Sequence, residues 1–177
     1  GGTPEASESS GPVILHVNVS GGSDNNTGMS KDQAFRTIQK AVEFAEDGDF
    51  IMVWPGIYRE AVWVNRKAVT IQSADDAAVV IAPFGDPIAF TFQFAESSRS
   101  VLRNFVIADC GEAAVYCNGA SPELTNLTIV NNNFGINAYG GSVPRIANCI
   151  FWNNEHGDLE QCYARYSRIS SLEADDT

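Results

Sequence analysis

Three heptapeptides in this chain align without a gap. Asn104-Phe-Val-Ile-Ala-Asp-Cys110, Asn126-Leu-Thr-Ile-Val-Asn-Asn132 and Asn148-Cys-Ile-Phe-Trp-Asn-Asn154 start 22 residues apart. The surroundings keep the same step. Ser121-Pro122-Glu123-Leu124 precedes Val143-Pro144-Arg145-Ile146 by 22 residues, and Gly135 recurs at Gly157, with Ala113 one period earlier. A fixed period of short apolar runs and polar bends marks a stacked repeat, in which each unit buries its apolar side chains only against its neighbours.

This period fits one coil of a parallel β-helix: three short strands joined by bends, each strand pairing with its equivalent one coil away at about 4.8 Å. The aligned columns then acquire directions. Ile107, Ile129 and Phe151 form one inward stack, and Leu124 and Ile146 another, while Ala108, Val130 and Trp152 face outward. Asn132 and Asn154 are expected at a bend, where asparagine tolerates left-handed backbone and side-chain amides ladder between coils. Upstream the period is less regular. Val62/Val64, Val69/Ile71 and Val79/Ile81 read as faces of a first coil and Phe90, Phe92 and Phe94 as part of a second. Strand patterns at 50–54, 61–64, 68–72, 79–82, 88–94 and 101–107, with the repeats that follow, give about five coils over 50–169.

The chain thus divides into an acidic tail over 1–12, a strand, loop and helix over 13–49, a solenoid over 50–170 and a second acidic tail over 171–177. The helix is expected over 33–46. Phe35, Ile38, Ala41, Val42 and Ala45 recur at steps of three and four, Asp32 stands at the N-cap and Gly48 lies just past the end. It covers the first coil, since a solenoid exposes apolar ends unless they are capped. No comparable cap follows the last coil, so that end is a candidate for stacking on another chain.

Charge narrows the partners. Twenty-two acidic against 11 basic residues give a net charge of −11, which argues against nucleic acid, because phosphate contacts need clustered Lys and Arg. No stretch approaches the roughly 20 apolar residues of a transmembrane helix. The four cysteines, Cys110, Cys117, Cys149 and Cys162, lack zinc-ligand spacing. They are either small core residues or disulfides of an exported protein, with Cys110–Cys117 and Cys149–Cys162 as candidate pairs.

The opening block resembles a known family. His16-Val-Asn-Val-Ser-Gly-Gly-Ser-Asp24, Gly28, Ala34-Phe35-Arg-Thr37-Ile38-Gln-Lys-Ala41, Gly48-Asp49 and Val53-Trp-Pro55-Gly56-Ile-Tyr58-Arg59-Glu60 resemble the N-terminus of exported bacterial right-handed parallel β-helix proteins of the pectate-lyase-like superfamily. The repeats at 122–154 are similar to those of the same group. The resemblance implies an all-β right-handed parallel β-helix with an N-terminal capping helix. It also implies a secreted or cell-surface location, and the Gly1-Gly-Thr-Pro-Glu-Ala-Ser7 start reads as the spacer after a removed leader or a lipidated Cys of the precursor. Relatives of this shape include polysaccharide lyases, glycoside hydrolases, epimerases and binding modules. Their lyases use a Lys or Arg base, commonly with Ca²⁺ held by carboxylates.

Candidate site residues follow. Asp109, Asn131 and Asn153 recur one coil apart beside Trp152. Aligned polar groups next to an exposed aromatic suit a sugar, which offers a ring face to stack and hydroxyls to bond. Tyr139, Arg145 and His156 are placed on the same side, His156 as the proton-transfer candidate. In the loop Asp24-Asn-Asn26-Thr-Gly28, Asp24 and Asn26 are candidate metal ligands, for Ca²⁺, against the alternative of a turn that fixes the helix. Arg59-Glu60 and Arg66-Lys67 read as exposed charges near a bend, and Trp54 and Trp63 as packing residues of the first coil. The function expected is an exported domain that binds or processes an extracellular polysaccharide. A non-catalytic structural or adhesion module is the alternative.

Overall fold

The computed structural model describes residues 11–76, 78–81, 86–95 and 99–169. Most of both expected tails lies outside the described residues. A first strand, β1 (Ile14–Val17), leads through a loop to the helix α1 (Ile38–Phe44). Five coils follow: β2 (Phe50–Val53), β3 (Gly56–Arg59), β4 (Val62–Asn65); β5 (Thr70–Ser73), β6 (Ala78–Ile81), β7 (Ile88–Ala95); β8 (Val101–Arg103), β9 (Phe105–Ala108), β10 (Ala113–Ala120); β11 (Glu123–Thr125), β12 (Thr128–Val130), β13 (Phe134–Tyr139); and β14 (Arg145–Ala147), β15 (Ile150–Trp152), β16 (Gly157–Glu160). The short β17 (Ala164–Arg165) begins one further rung. The first, second and third strands of successive coils form three parallel sheets, here called one, two and three, with β1 and β17 extending sheet one at its two ends.

The inward columns match the pattern of the repeat. Leu102, Leu124 and Ile146 pair in register in sheet one, and Ile107, Ile129 and Phe151 in sheet two, all buried. Each completely buried large side chain contributes roughly 1.5–3 kcal/mol, so the core is an axial stack of modest increments. Three expectations need correction. Ala78 and Val80, not Val79 and Ile81, face inward. These strands belong to the second coil, because β4 already closes the first. The expected strand over 101–107 is two strands, β8 and β9, broken at Asn104, whose φ is 67°.

That break belongs to a system. Each of the three bends carries a column of residues in left-handed backbone. Between sheets one and two it is Asn104, Asn126, Asn148 and Tyr166; between two and three, Asp109, Asn131 and Asn153; between three and one, Arg66, Phe94, Gly119, Gly140 and Gln161. Left-handed φ reverses the local twist within a single residue, and Asn, Asp and Gly adopt it at least cost. Asn132 and Asn154 lie just past the left-handed residues rather than on them, and carry the interior ladder. The Asn132 side-chain amide donates to Asn154 Oδ1 at 3.0 Å and to Ile107 O at 3.2 Å, while its own oxygen accepts from Cys110 N at 2.9 Å.

The helix does cover the first coil, burying Ile38, Ala41 and Val42, but it is shorter than its apolar period suggests. Phe35 is extended and bridges Val17, and the N-cap is Thr37, whose hydroxyl accepts from Lys40 N, rather than Asp32. Lys31–Gln33 form a separate turn capped by Ser30. The charges expected to be solvated instead bracket this helix. Glu60 accepts from Ile38 N and Gln39 N, both at 2.9 Å. Lys67 Nζ donates to the carbonyls of Val42, Glu43 and Ala45 at 2.6–3.0 Å. An anion at the N-terminus and a cation at the C-terminus match the helix dipole. Burial pushes the Glu60 carboxyl above the usual carboxylate range, against the two N–H groups that lower it.

Candidate functional site

The second bend presents its left-handed residues outward. Asp109, Asn131 and Asn153 are exposed, because a left-handed residue between two short strands has no inward side on which to pack. They line one open groove of about 870 Å³ with Gly111, Asn133, Glu155 and His156. Asn153 Nδ2 donates to Asn131 Oδ1 at 2.9 Å, so a second, solvent-facing amide pair holds these two side chains in line. His156 N donates to Asn133 O at 2.8 Å, and its ring lies 5.5 Å from that of Phe134. Trp152 stands beside Asn153 on the outer face of sheet two, 52% exposed, with the Arg168 guanidinium 5.7 Å from its ring centroid.

The remaining candidates are not gathered there. Arg145 is on the outer face of sheet one, in a separate groove of about 680 Å³ with Glu123, Thr125, Tyr163 and Arg165. Tyr139 is on sheet three, its ring 5.7 Å from that of Tyr116. The three sheets face different directions, and a residue's offset from the nearest bend decides which face it joins; proximity in sequence to the Asn column does not.

The loop residues Asp24 and Asn26 serve the cap. Asp24 Oδ1 accepts from Arg36 N at 2.8 Å and Thr37 N at 3.0 Å, and Oδ2 from the Thr37 hydroxyl at 2.9 Å. Asn26 Nδ2 donates to Ala34 O at 2.9 Å. This is the turn reading of the loop, and among the described residues no group of three or more His, Cys, Asp or Glu side chains is placed to hold a metal ion.

The cysteines are thiols, not the disulfides considered as one alternative. Their Sγ atoms turn to main-chain carbonyls instead: Cys110 to Ala108 at 3.5 Å, Cys149 to Ala147 at 3.3 Å and Cys162 to Ile136 at 3.6 Å. Burial pushes Cys149 and Cys162 up to about 11 and Cys117 higher still. Such thiols stay protonated at neutral pH and are poor nucleophiles.

Aromatic residues on sheet three were not singled out from sequence as a group. Trp63, expected to pack, is 44% exposed. Trp54, by contrast, does pack: Lys31 Nζ lies 3.8 Å above its ring centroid, and its indole N–H donates to His16 Nδ1 at 3.2 Å.

The family described as a right-handed beta helix region matches this chain over residues 58–174. No curated protein matches it. No described helix is long and apolar enough to cross a membrane.

Proposed function

The chain belongs to the right-handed β-helix family, and on that premise we propose that it is an exported domain that binds an extracellular polysaccharide along the second-bend groove. One observation carries the reading: Asp109, Asn131 and Asn153 repeat at the coil spacing along an exposed groove that His156 also lines, with the exposed Trp152 next to Asn153 in the chain. A polymer of repeating hydroxyls meets a repeating row of amide and carboxylate groups, and the indole offers a stacking face. His156, next to Glu155, is the group available for proton transfer if the bound sugar is also processed.

Binding to an immobilised panel of polysaccharides tests this. Wild type should be retained by at least one of them, and Trp152→Ala and Asn131→Ala should weaken that retention. Equal retention of wild type and both variants removes the groove from the reading. Processing is read separately, as unsaturated product by absorbance or as new reducing ends.

A non-catalytic structural module is the second reading. It is favoured by the use that the Asn side chains already make of one another, Asn153 with Asn131 and Asn126 with Asn104. If no polysaccharide is retained while the fold is intact, this second reading stands.

A further inference from the structure

The outer face of sheet three carries an unassigned strip. One column reads Trp63, Thr91, Tyr116, Asn137 and Glu160, one residue per coil in register. Its neighbour reads Asn65, Gln93, Asn118 and Tyr139. Nine positions therefore hold three aromatics, four carboxamides, one hydroxyl and one carboxylate, in a protein of net charge −11.

The strip is organised in detail. Tyr116 and Tyr139 lie at 33° with centroids 5.7 Å apart, and the Glu160 carboxylate beside the Tyr139 hydroxyl pushes that phenol's pKa up. Gly140, at φ 59°, lies under the Asn118 side chain: a Cβ built there would meet Asn118 Oδ1. Any larger residue at 140 would displace that amide, so the glycine keeps Asn118 in place beside the tyrosines. Asn137, between Tyr116 and Glu160, is 5% exposed and its Oδ1 has no hydrogen-bond partner. A buried carbonyl oxygen without a donor is costly, and a ligand hydroxyl reaching it would recover that cost.

We propose that this strip is a second sugar-binding surface, selective for a neutral glycan whose rings stack on Tyr116, Tyr139 and Trp63 and whose hydroxyls bond Asn137, Asn118 and Glu160. The class of ligand rests on the reading above; the surface and the charge preference do not. Flat aromatic faces take the C–H side of a pyranose ring, and amides bond neutral hydroxyls in either direction. The one charge on the strip, Glu160, repels a uronate rather than recruiting it. The coil rise of about 4.8 Å is close to the length of one hexose in an extended chain, so successive coils meet successive sugars.

The test is titration of the whole protein with a neutral and a uronate oligosaccharide of equal length, followed by calorimetry and by side-chain NMR shifts. The neutral sugar should bind, shifting the Tyr116, Tyr139 and Trp63 rings. Tyr116→Ala and Tyr139→Ala should each raise Kd roughly ten-fold, while Tyr139→Phe, which keeps the ring, should raise it less. Asn137→Ala reads the amide separately. Binding that is lost in Trp152→Ala or Asn131→Ala and unchanged in the tyrosine variants overturns this inference and leaves the second-bend reading standing. Binding lost in the tyrosine variants alone overturns that reading as to place and supports this one. Tighter binding of the uronate, or no binding of either sugar by folded wild type, overturns the inference.

Discussion

The two ends of the solenoid solve the same problem with very different means. At the N-terminal end, four charged side chains turn inward to the main chain. Asp24 holds residues 36 and 37, Glu60 residues 38 and 39, Asp49 bonds Val13 N and Glu46 N, and Lys67 gathers three carbonyls. At the other end of the described chain, the last rung is a two-residue strand. Arg168 continues it by main-chain bonds to Cys149 and Phe151, and Tyr163 and Tyr166 are 91% and 89% exposed. The coils between them need neither device, because each satisfies its neighbour. The contrast teaches that the cap closes its end with charged side chains on main-chain groups, whereas the repeat relies on uncharged amide ladders between coils. Charge that composition would assign to the surface is used there to close an apolar end.

Several substitutions sharpen or break that contrast. Phe35→Ala should have the largest effect, about 3–5 kcal/mol by denaturant titration, since it empties a buried site against Phe44 and Gly28. A loss below about 1 kcal/mol would mean that the cap repacks and is no keystone. Lys67→Met should cost about 1–3 kcal/mol, because it strips three helix carbonyls of their donor and keeps the aliphatic stem.

Glu60→Gln tests the charge itself. Its carboxyl is raised by burial, so the folded state takes up a proton more readily than the unfolded chain. The contribution of Glu60 is therefore fullest at acidic pH and is lost as pH rises through the raised value. The melting temperature of wild type relative to Glu60→Gln should rise as pH falls from 7 toward 4; an unchanged difference would show that the carboxylate is not penalised. The smallest effect belongs to the far end. Tyr166→Ala should stay within about 0.5 kcal/mol of wild type, and a larger loss would show that the last rung is covered in solution.

How much of this was legible in the sequence varies along the chain. The regular coils were, since Leu124 and Ile146 keep the 22-residue step and face the core, where Leu102 joins them one coil earlier. The helix was overextended because Phe35 continues its apolar spacing, although that side chain is buried from an extended segment bridged to Val17. Glu60 and Lys67 could not be placed, because their partners are main-chain groups more than 20 residues away. Of the bend residues, the Asn columns showed as aligned positions, but the repeat points to Asn132 and Asn154 as the bend, one residue past the left-handed Asn131 and Asn153, and places Asn104 within a strand. The column of Arg66, Phe94, Gly119, Gly140 and Gln161 did not show, since its members share only a backbone angle. The sheet-three strip was hidden for a similar reason. Trp63, Thr91, Tyr116, Asn137 and Glu160 are separated by 28, 25, 21 and 23 residues, so no single period aligns them.

The bends also carry a direction in time. Asn104, Asn126 and Asn148 each donate their main-chain N–H to a carbonyl of the coil that follows, as do Asp109 and Asn131. The interior ladder runs the same way, Cys110 to Asn132 and Asn132 to Asn154. A chain emerging from the ribosome N-terminus first therefore leaves every one of these corners unfinished until another coil has been made. The cap is different: Asp24 and Glu60 reach segments already synthesised or about to be, within some two dozen residues. In order of synthesis, then, the partners of the cap come early, and each storey is completed by the one above it.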